Sequence, residues 1–328
     1  MKKIVIAFMS LGITLGLVTA SWSINFGDIL NDTLKQPPKE EPAPKPAPAK
    51  EAPATNSQSG GGGGLIGILE GTGAVDKKTS NILRGAGNLV KSLQPIGWEE
   101  ERAIGGSLAL EVFSRFGGQY KNEKLQRYIS LVGLSVAGVS DRADIPYHFA
   151  ILNSDTPNAF AAPGGYIFVS SGLLRLVRNE AELAGVLGHE VAHVAKRHAL
   201  KTIERSKTLQ GFSQLTTSIL DSDPGVLENI VKEMSETLFT KGLDQGLEFE
   251  ADKFGMEYAY RVGYFPGGLR DFMKVLNKAQ GSGSALFSTH PTPRARYGKL
   301  NVQFGHYADA SKAPTLAKRY SSNTQGQL

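Results

Sequence analysis

The chain has 328 residues, 41% of them apolar, and a formal net charge of +5; that length makes one large domain or two small ones with a substantial core. Two of its lysines, Lys2 and Lys3, stand at the very start and the remaining charge is diffuse, which argues against nucleic acid as a partner. There is no cysteine. Disulfides, thiolate metal sites and a lipidated N-terminal Cys are thereby excluded, and only imidazole and carboxylate remain as metal ligands.

Residues 1–20 read as a signal peptide: Lys2-Lys3, an apolar run from Ile4 to about Val18, then Val18-Thr19-Ala20 with cleavage after Ala20. A retained inner-membrane anchor is the alternative, although the run is slightly short for a span. Either way the body that follows is exported, and the expected compartment is the periplasm. Residues 21–36 form a short N-terminal segment without a clear pattern. From 37 to 64 the composition shifts to Pro, Ala, Lys and Glu, and then to Ser and five glycines. Such a stretch cannot bury enough apolar surface to fold, and as a disordered linker it reaches on the order of 80 Å. The 65–97 extension carries Ile82, Leu83, Leu89, Val90 and Leu93, the pattern of one amphipathic helix.

The main domain is expected over 98–310. It opens with a helix from Trp98 to about Phe116, with Glu99, Glu100 and Glu101 in its first turn and Gly117-Gly118 as its stop. A second helix runs from Asn122 to Val139. Tyr147 to Leu152 reads as a strand, and the runs on either side of Pro163-Gly164-Gly165 make a hairpin ending at Ser170. That hairpin either binds an extended peptide along its edge or simply covers the core.

The centre of the chain is Gly188-His189-Glu190-Val191-Ala192-His193. Asn179 and Glu182 read as an N-cap box, and Leu183, Val186, Leu187, Val191 and Val194 recur at helical spacing. Residues four apart stack on one helix face, so the two imidazoles converge on one metal ion while Glu190 points to the rim. On a continuing helix His198 points well away from both and belongs, with Lys196 and Arg197, to a solvated face.

Two imidazoles leave a metal short of ligands. The helical run from about Leu243 to Val262 holds Glu248 and Asp252 one turn apart, so it offers one carboxylate to the metal and another to the surrounding shell; by spacing alone it is equally an exposed acidic patch. The segment between the two helices, about 206–241, is either a helical lid or a structural helix pair. The polar tail, 311–328, is expected to be disordered.

Asn158-Ala-Phe, Pro163-Gly-Gly, Ser171-Gly-Leu-Leu, the His189 motif with Arg197-His198, Glu248 to Asp252, and Thr289-His290-Pro291 with Arg296 together resemble the zinc endopeptidases related to the CAAX prenyl protease, the forty-eighth metallopeptidase family. The likeness spans roughly residues 98–300 and is greatest to the soluble, exported bacterial branch; no helical repeat period is expected in residues 300–328. It implies His189, His193 and Glu248 as ligands of one Zn2+, Glu190 as general base, and Asp252 beside the ligands. It implies roles for Asn158 in aligning substrate backbone and for Arg296 near the developing oxyanion. It also implies that His290 is either an autoinhibitory latch on the zinc or a loop residue on the substrate side.

The expected fold is α+β and mainly helical, a zincin-like domain with a small antiparallel sheet beside the His189 helix. The expected activity is zinc-dependent hydrolysis of peptide bonds in polypeptides, with misfolded or unassembled envelope proteins as substrates. Peripheral contact with a membrane or with outer-membrane assembly machinery falls to the N-terminal extension, the linker or the 206–241 segment. Two other readings stand beside it: a zinc-containing periplasmic chaperone or scaffold that binds polypeptides on the hairpin edge and seldom cuts, and a cell-envelope anchor or assembly factor working through residues 21–97.

Overall fold

The computed structural model describes residues 96–210, 224–279 and 290–328. The leader, the linker and nearly all of the 65–97 extension lie outside the described residues, as does much of the segment read as a lid. Among the described residues no helix is long and apolar enough to cross a membrane.

Helix α1 (Trp98–Arg115) and helix α2 (Glu123–Ala137) come first, followed by strands β1 (His148–Leu152), β2 (Ala159–Ala162) and β3 (Tyr166–Ser170). A short α3 (Ser171–Leu176) leads into α4 (Glu180–Ala195), which carries the two histidines. Then come α5 (His198–Gln210), α6 (Pro224–Glu236), α7 (Gln245–Arg261), α8 (Gly268–Ala279), α9 (Pro293–Phe304) and α10 (Ala317–Thr324). The fold is mainly helical with one small sheet, as the pattern predicts.

The sheet differs in one respect from the expected antiparallel one. Its strand order is β1-β3-β2, with β2 antiparallel to β3 and β1 parallel to β3. The connection from β1 crosses to the far side of β3 before the hairpin begins, so β1 and β3 run the same way. Both faces are covered, which explains the unbroken apolar runs. Ala150, Leu152, Phe160, Ala162, Tyr166 and Phe168 pack with Ile104, Leu108 and Val112 of α1. The alternate residues Phe149, Ile151, Ala159, Ala161, Ile167 and Val169 pack into the core shared by α2 and α4.

Helix α4 is buried on every side. Its start is fixed as the cap pattern predicts: Asn179 Oδ1 accepts from the Glu182 backbone N–H at 2.9 Å. Its far half crosses α7 at two glycines. A Cβ on Gly188 would stand 2.8 Å from the Gly255 carbonyl oxygen, and one on Gly255 would stand 2.7 Å from the His189 nitrogen. Backbone therefore lies on backbone at the level of His189, and the short side chain of Glu248 on α7 can reach the α4 histidines.

The polar tail is folded, contrary to the expectation of disorder from 311. Residues 305–312 form a short helical segment and α10 follows. Tyr320 is buried and its hydroxyl donates to the Leu174 carbonyl at 2.5 Å. Arg319 pairs with the buried Glu180, which also accepts from Tyr128 at 2.8 Å and Tyr264 at 2.6 Å. Composition hid this because the anchoring groups, one Tyr and one Arg, sit among Ser, Asn and Gln.

Two outcomes follow. Gly255→Ala is expected to destabilise the chain by about 1–3 kcal/mol, since the added carbon forces two helices apart, and to weaken zinc uptake with it. Urea unfolding and metal analysis check both; unchanged values would mean the glycine contact does not set the helix spacing. Tyr320→Ala is expected to cost about 3 kcal/mol in thermal unfolding, as large buried aromatic truncations do, whereas a disordered tail would register nothing.

Candidate metal centre

The site is assembled from α4, α7 and the start of α9. The Nε2 atoms of His189 and His193 stand 3.0 Å apart. Glu248 lies over them, with Oε2 3.6 Å from His189 Nε2 and Oε1 3.5 Å from His193 Nε2. All three side chains are buried, and their donor atoms form a group compact enough to hold one metal ion. Glu248 Oε1 has no hydrogen-bond partner although it is fully enclosed, a costly arrangement unless a cation completes it. Ligands 2.0–2.2 Å from a tetrahedral zinc lie about 3.3 Å from one another, close to the separations here, so the residues present fit a zinc ion.

The charges around the site agree. Burial alone would raise the Glu248 carboxyl, but the imidazoles of His290 and His193 outweigh it and hold the group well below the usual carboxylate range. Burial keeps His193 well below the ordinary imidazole value, as a ligand with a bare lone pair requires. At His189 burial and Arg296 push downward, but the carboxylates of Asp252 and Glu248 prevail and raise it to about 9. The pocket favours positive charge at its centre.

Each histidine is held from behind. His189 Nδ1 lies 3.0 Å from Asp252 Oδ1. Asp252 is in turn gripped by Arg296, whose Nε donates to Oδ2 at 3.0 Å and whose Nη2 donates to Oδ1 at 2.5 Å. Arg296 Nη2 also sits 3.1 Å from His189 Nδ1. The guanidinium is thus buried on the Nδ1 side of His189, and it also lines the recess beside Glu190 and His290. Asn158 opens β2, with its Oδ1 accepting from the Ala159 N–H at 2.9 Å and its own N–H donating to Ser170 Oγ at 2.9 Å.

His193 is held by His198, which helical spacing alone directs to a solvated face. His198 is fully buried, not solvated, and its Nδ1 stands 2.9 Å from His193 Nδ1. Its Nε2 faces Glu250 Oε2 at 3.3 Å. The 100° rule failed because the helix is not continuous: α4 ends at Ala195, and Arg197 takes φ +56°, turning the chain so that α5 starts with His198 against α4. Lys196-Arg197-His198 gives no sign of that turn.

Glu190 is buried, and burial pushes its carboxyl above the usual carboxylate value against the pull of His189 and His290. It lines two small recesses. One lies among Leu173, Val186, Leu269, Phe272 and Met273; the other lies between the edge of β2 and Leu238, Gly242 and Leu243. Both are also lined by His290, whose Nδ1 is 2.6 Å from Glu248 Oε2. Each has a volume of about 20 Å3, room for a water molecule and no more.

A mainly helical domain with two inward histidines and a carboxylate from the next long helix defines a metallopeptidase. The sequence matches the model of Peptidase family M48 over residues 121–302, and the chain belongs to that family. It is 32% identical over 186 residues to the β-barrel assembly-enhancing protease of Escherichia coli K12, an alignment covering 52% of this chain and 37% of that protein. The protein of the same name from Yersinia pestis is 30% identical over 183 residues, with the same shares covered. The mitochondrial metalloendopeptidase OMA1 of Schizosaccharomyces pombe is 29% identical over 199 residues, which cover 58% of this chain and 57% of that one. The chain thus spans little more than a third of the length of the bacterial relatives it matches.

Removing Asp252 strands a buried guanidinium. Asp252→Leu is expected to destabilise the metal-free chain by about 3–5 kcal/mol, and the double change Asp252→Leu/Arg296→Met to recover much of that. Urea unfolding of the three chains decides it: equal losses in the single and double variants would show that the pair is not the unit that matters.

Proposed function

We propose that the chain is a zinc-dependent endopeptidase that hydrolyses peptide bonds in exported polypeptides, with misfolded or unassembled envelope proteins as its substrates. The observation that carries this is the convergence of His189, His193 and a Glu248 oxygen without a hydrogen-bond partner beside the buried carboxyl of Glu190. His189, His193 and Glu248 would hold the ion. Zinc bound there supplies Lewis acidity, polarising a carbonyl oxygen and lowering the pKa of water toward about 7.

The rest is done by the chain's own residues. Glu190 takes a proton from the attacking water and delivers it to the leaving amine nitrogen; its raised carboxyl suits both halves of that transfer. The edge of β2 borders the recess next to Glu190, so an extended substrate can lie along it by backbone pairing alone. Such binding is indifferent to side chains and suits unfolded polypeptides. Asn158, at the head of β2, keeps that edge in register.

His290 acts as the latch. Its bond to Glu248 and its place between the two recesses close the site to anything larger than water, so it must withdraw before a peptide enters. The leader-like residues 1–20 support a periplasmic location, and the bacterial relatives' name supports a place near outer-membrane assembly.

The test is hydrolysis of casein by the purified chain with bound zinc measured. Glu190→Gln is expected to keep zinc and lose activity by at least about 100-fold, the usual worth of a general base, while His290→Ala cuts faster than wild type. If wild type and His290→Ala both bind zinc and cut no unfolded protein, the chaperone reading takes over; if Glu190→Gln cuts like wild type, the assignment of the base is wrong.

A further inference from the structure

Resting on the reading of His193 as a zinc ligand, we infer that His198 and Glu250 form a relay that fixes the tautomer of His193 and so presents its Nε2 lone pair to the metal. The two Nδ1 atoms of His193 and His198 are 2.9 Å apart. At that distance one must donate and the other accept, because two N–H groups cannot face each other and two lone pairs repel. A His193 whose Nε2 binds metal carries its proton on Nδ1, so His198 Nδ1 must be bare. The proton of His198 then sits on Nε2, and there it meets Glu250 Oε2 at 3.3 Å.

The direction of the whole chain is set at its outer end. Glu250 is a carboxylate that accepts and never donates when ionised, so it admits only the Nε2–H form of His198. It is also the exposed end, with a side chain 39% accessible, while His198 is fully enclosed. Behind His189 the carboxylate stands directly, Asp252 Oδ1 at 3.0 Å from Nδ1 with Arg296 Nη2 beside it at 3.1 Å. On the His193 side an imidazole is interposed, which carries the orienting charge from the surface through the break between α4 and α5. His198 and Glu250 are positioning residues: they touch His193, not the substrate.

Glu250 allows a test that leaves the core intact. Glu250→Lys puts a donor where the acceptor stood, favouring the opposite tautomer along the chain. Glu250→Gln keeps a carbonyl acceptor. The full chain, stripped of metal, is titrated with zinc against a chromophoric chelator, and the melting temperature of each metal-free variant is recorded. Glu250→Lys is expected to bind zinc about tenfold more weakly or worse, the usual effect of losing a partner behind a ligand, with Glu250→Gln within about twofold of wild type. Both should melt with wild type when metal-free. At the buried position His198→Asn, whose carbonyl stands near Nδ1, is expected to bind zinc better than His198→Leu, and zinc-saturated Glu250→Lys should retain the wild-type KM for a peptide substrate.

Zinc affinity of Glu250→Lys equal to wild type, or equal losses in Glu250→Lys and Glu250→Gln, would overturn the relay while leaving the metal site standing. If wild type takes up no zinc, or if Glu248→Ala takes up as much, the site itself has been misread and the relay falls with it.

Discussion

Everything at the centre depends on how close α4 and α7 come. At Gly188 and Gly255 the helices meet backbone to backbone, without side chains between them. Only at that distance does Glu248, a residue in the first turn of α7, reach the imidazoles of α4. The family of helices around this pair, with α2 and the sheet on one side and α8 and α9 on another, serves to hold the crossing and to keep water from the carboxylates it buries.

That burial makes the electrostatics strict. Glu190, Glu248, Asp252 and Arg296 are all nearly inaccessible, and a lone buried charge is expensive. Asp252 and Arg296 neutralise each other and together steady His189. Glu248 leans on His290 for one oxygen and leaves the other open to an ion. Glu190 has no such partner and responds by holding its proton more tightly. The same low-dielectric setting thus leaves Glu248 and Asp252 below the usual carboxylate range and Glu190 above it, which is how one small site can provide a ligand, a support and a base.

Much of this was legible in the residues. The helix of His189, its cap at Asn179 and the hairpin around Pro163-Gly164-Gly165 follow from periodicity and turn chemistry, because each is a local property, whereas the carboxylates of α7 are by spacing equally an exposed acidic patch. What escaped the sequence is what depends on a single backbone torsion or on packing between distant segments. Arg197 in the left-handed region re-aims His198 by ending a helix that periodicity would extend. The parallel pairing of β1 with β3 depends on which edge a connection crosses, and nothing in residues 153–158 encodes the side. The grip of Arg296 on Asp252 behind His189 is an attraction between groups 44 positions apart. The tail's order is hidden because its few anchors, Arg319 and Tyr320, are outnumbered by polar neighbours.

The most direct test of the central claim is X-ray absorption at the zinc edge on the metal-loaded chain. Two imidazole nitrogens at about 2.0–2.1 Å with their outer-ring scattering, and carboxylate oxygen at about 2.0–2.2 Å, are expected, one oxygen scatterer being lost in Glu248→Ala. A spectrum of oxygen ligands alone, without imidazole scattering, would mean that the metal is held elsewhere and that His189 and His193 do not form the centre.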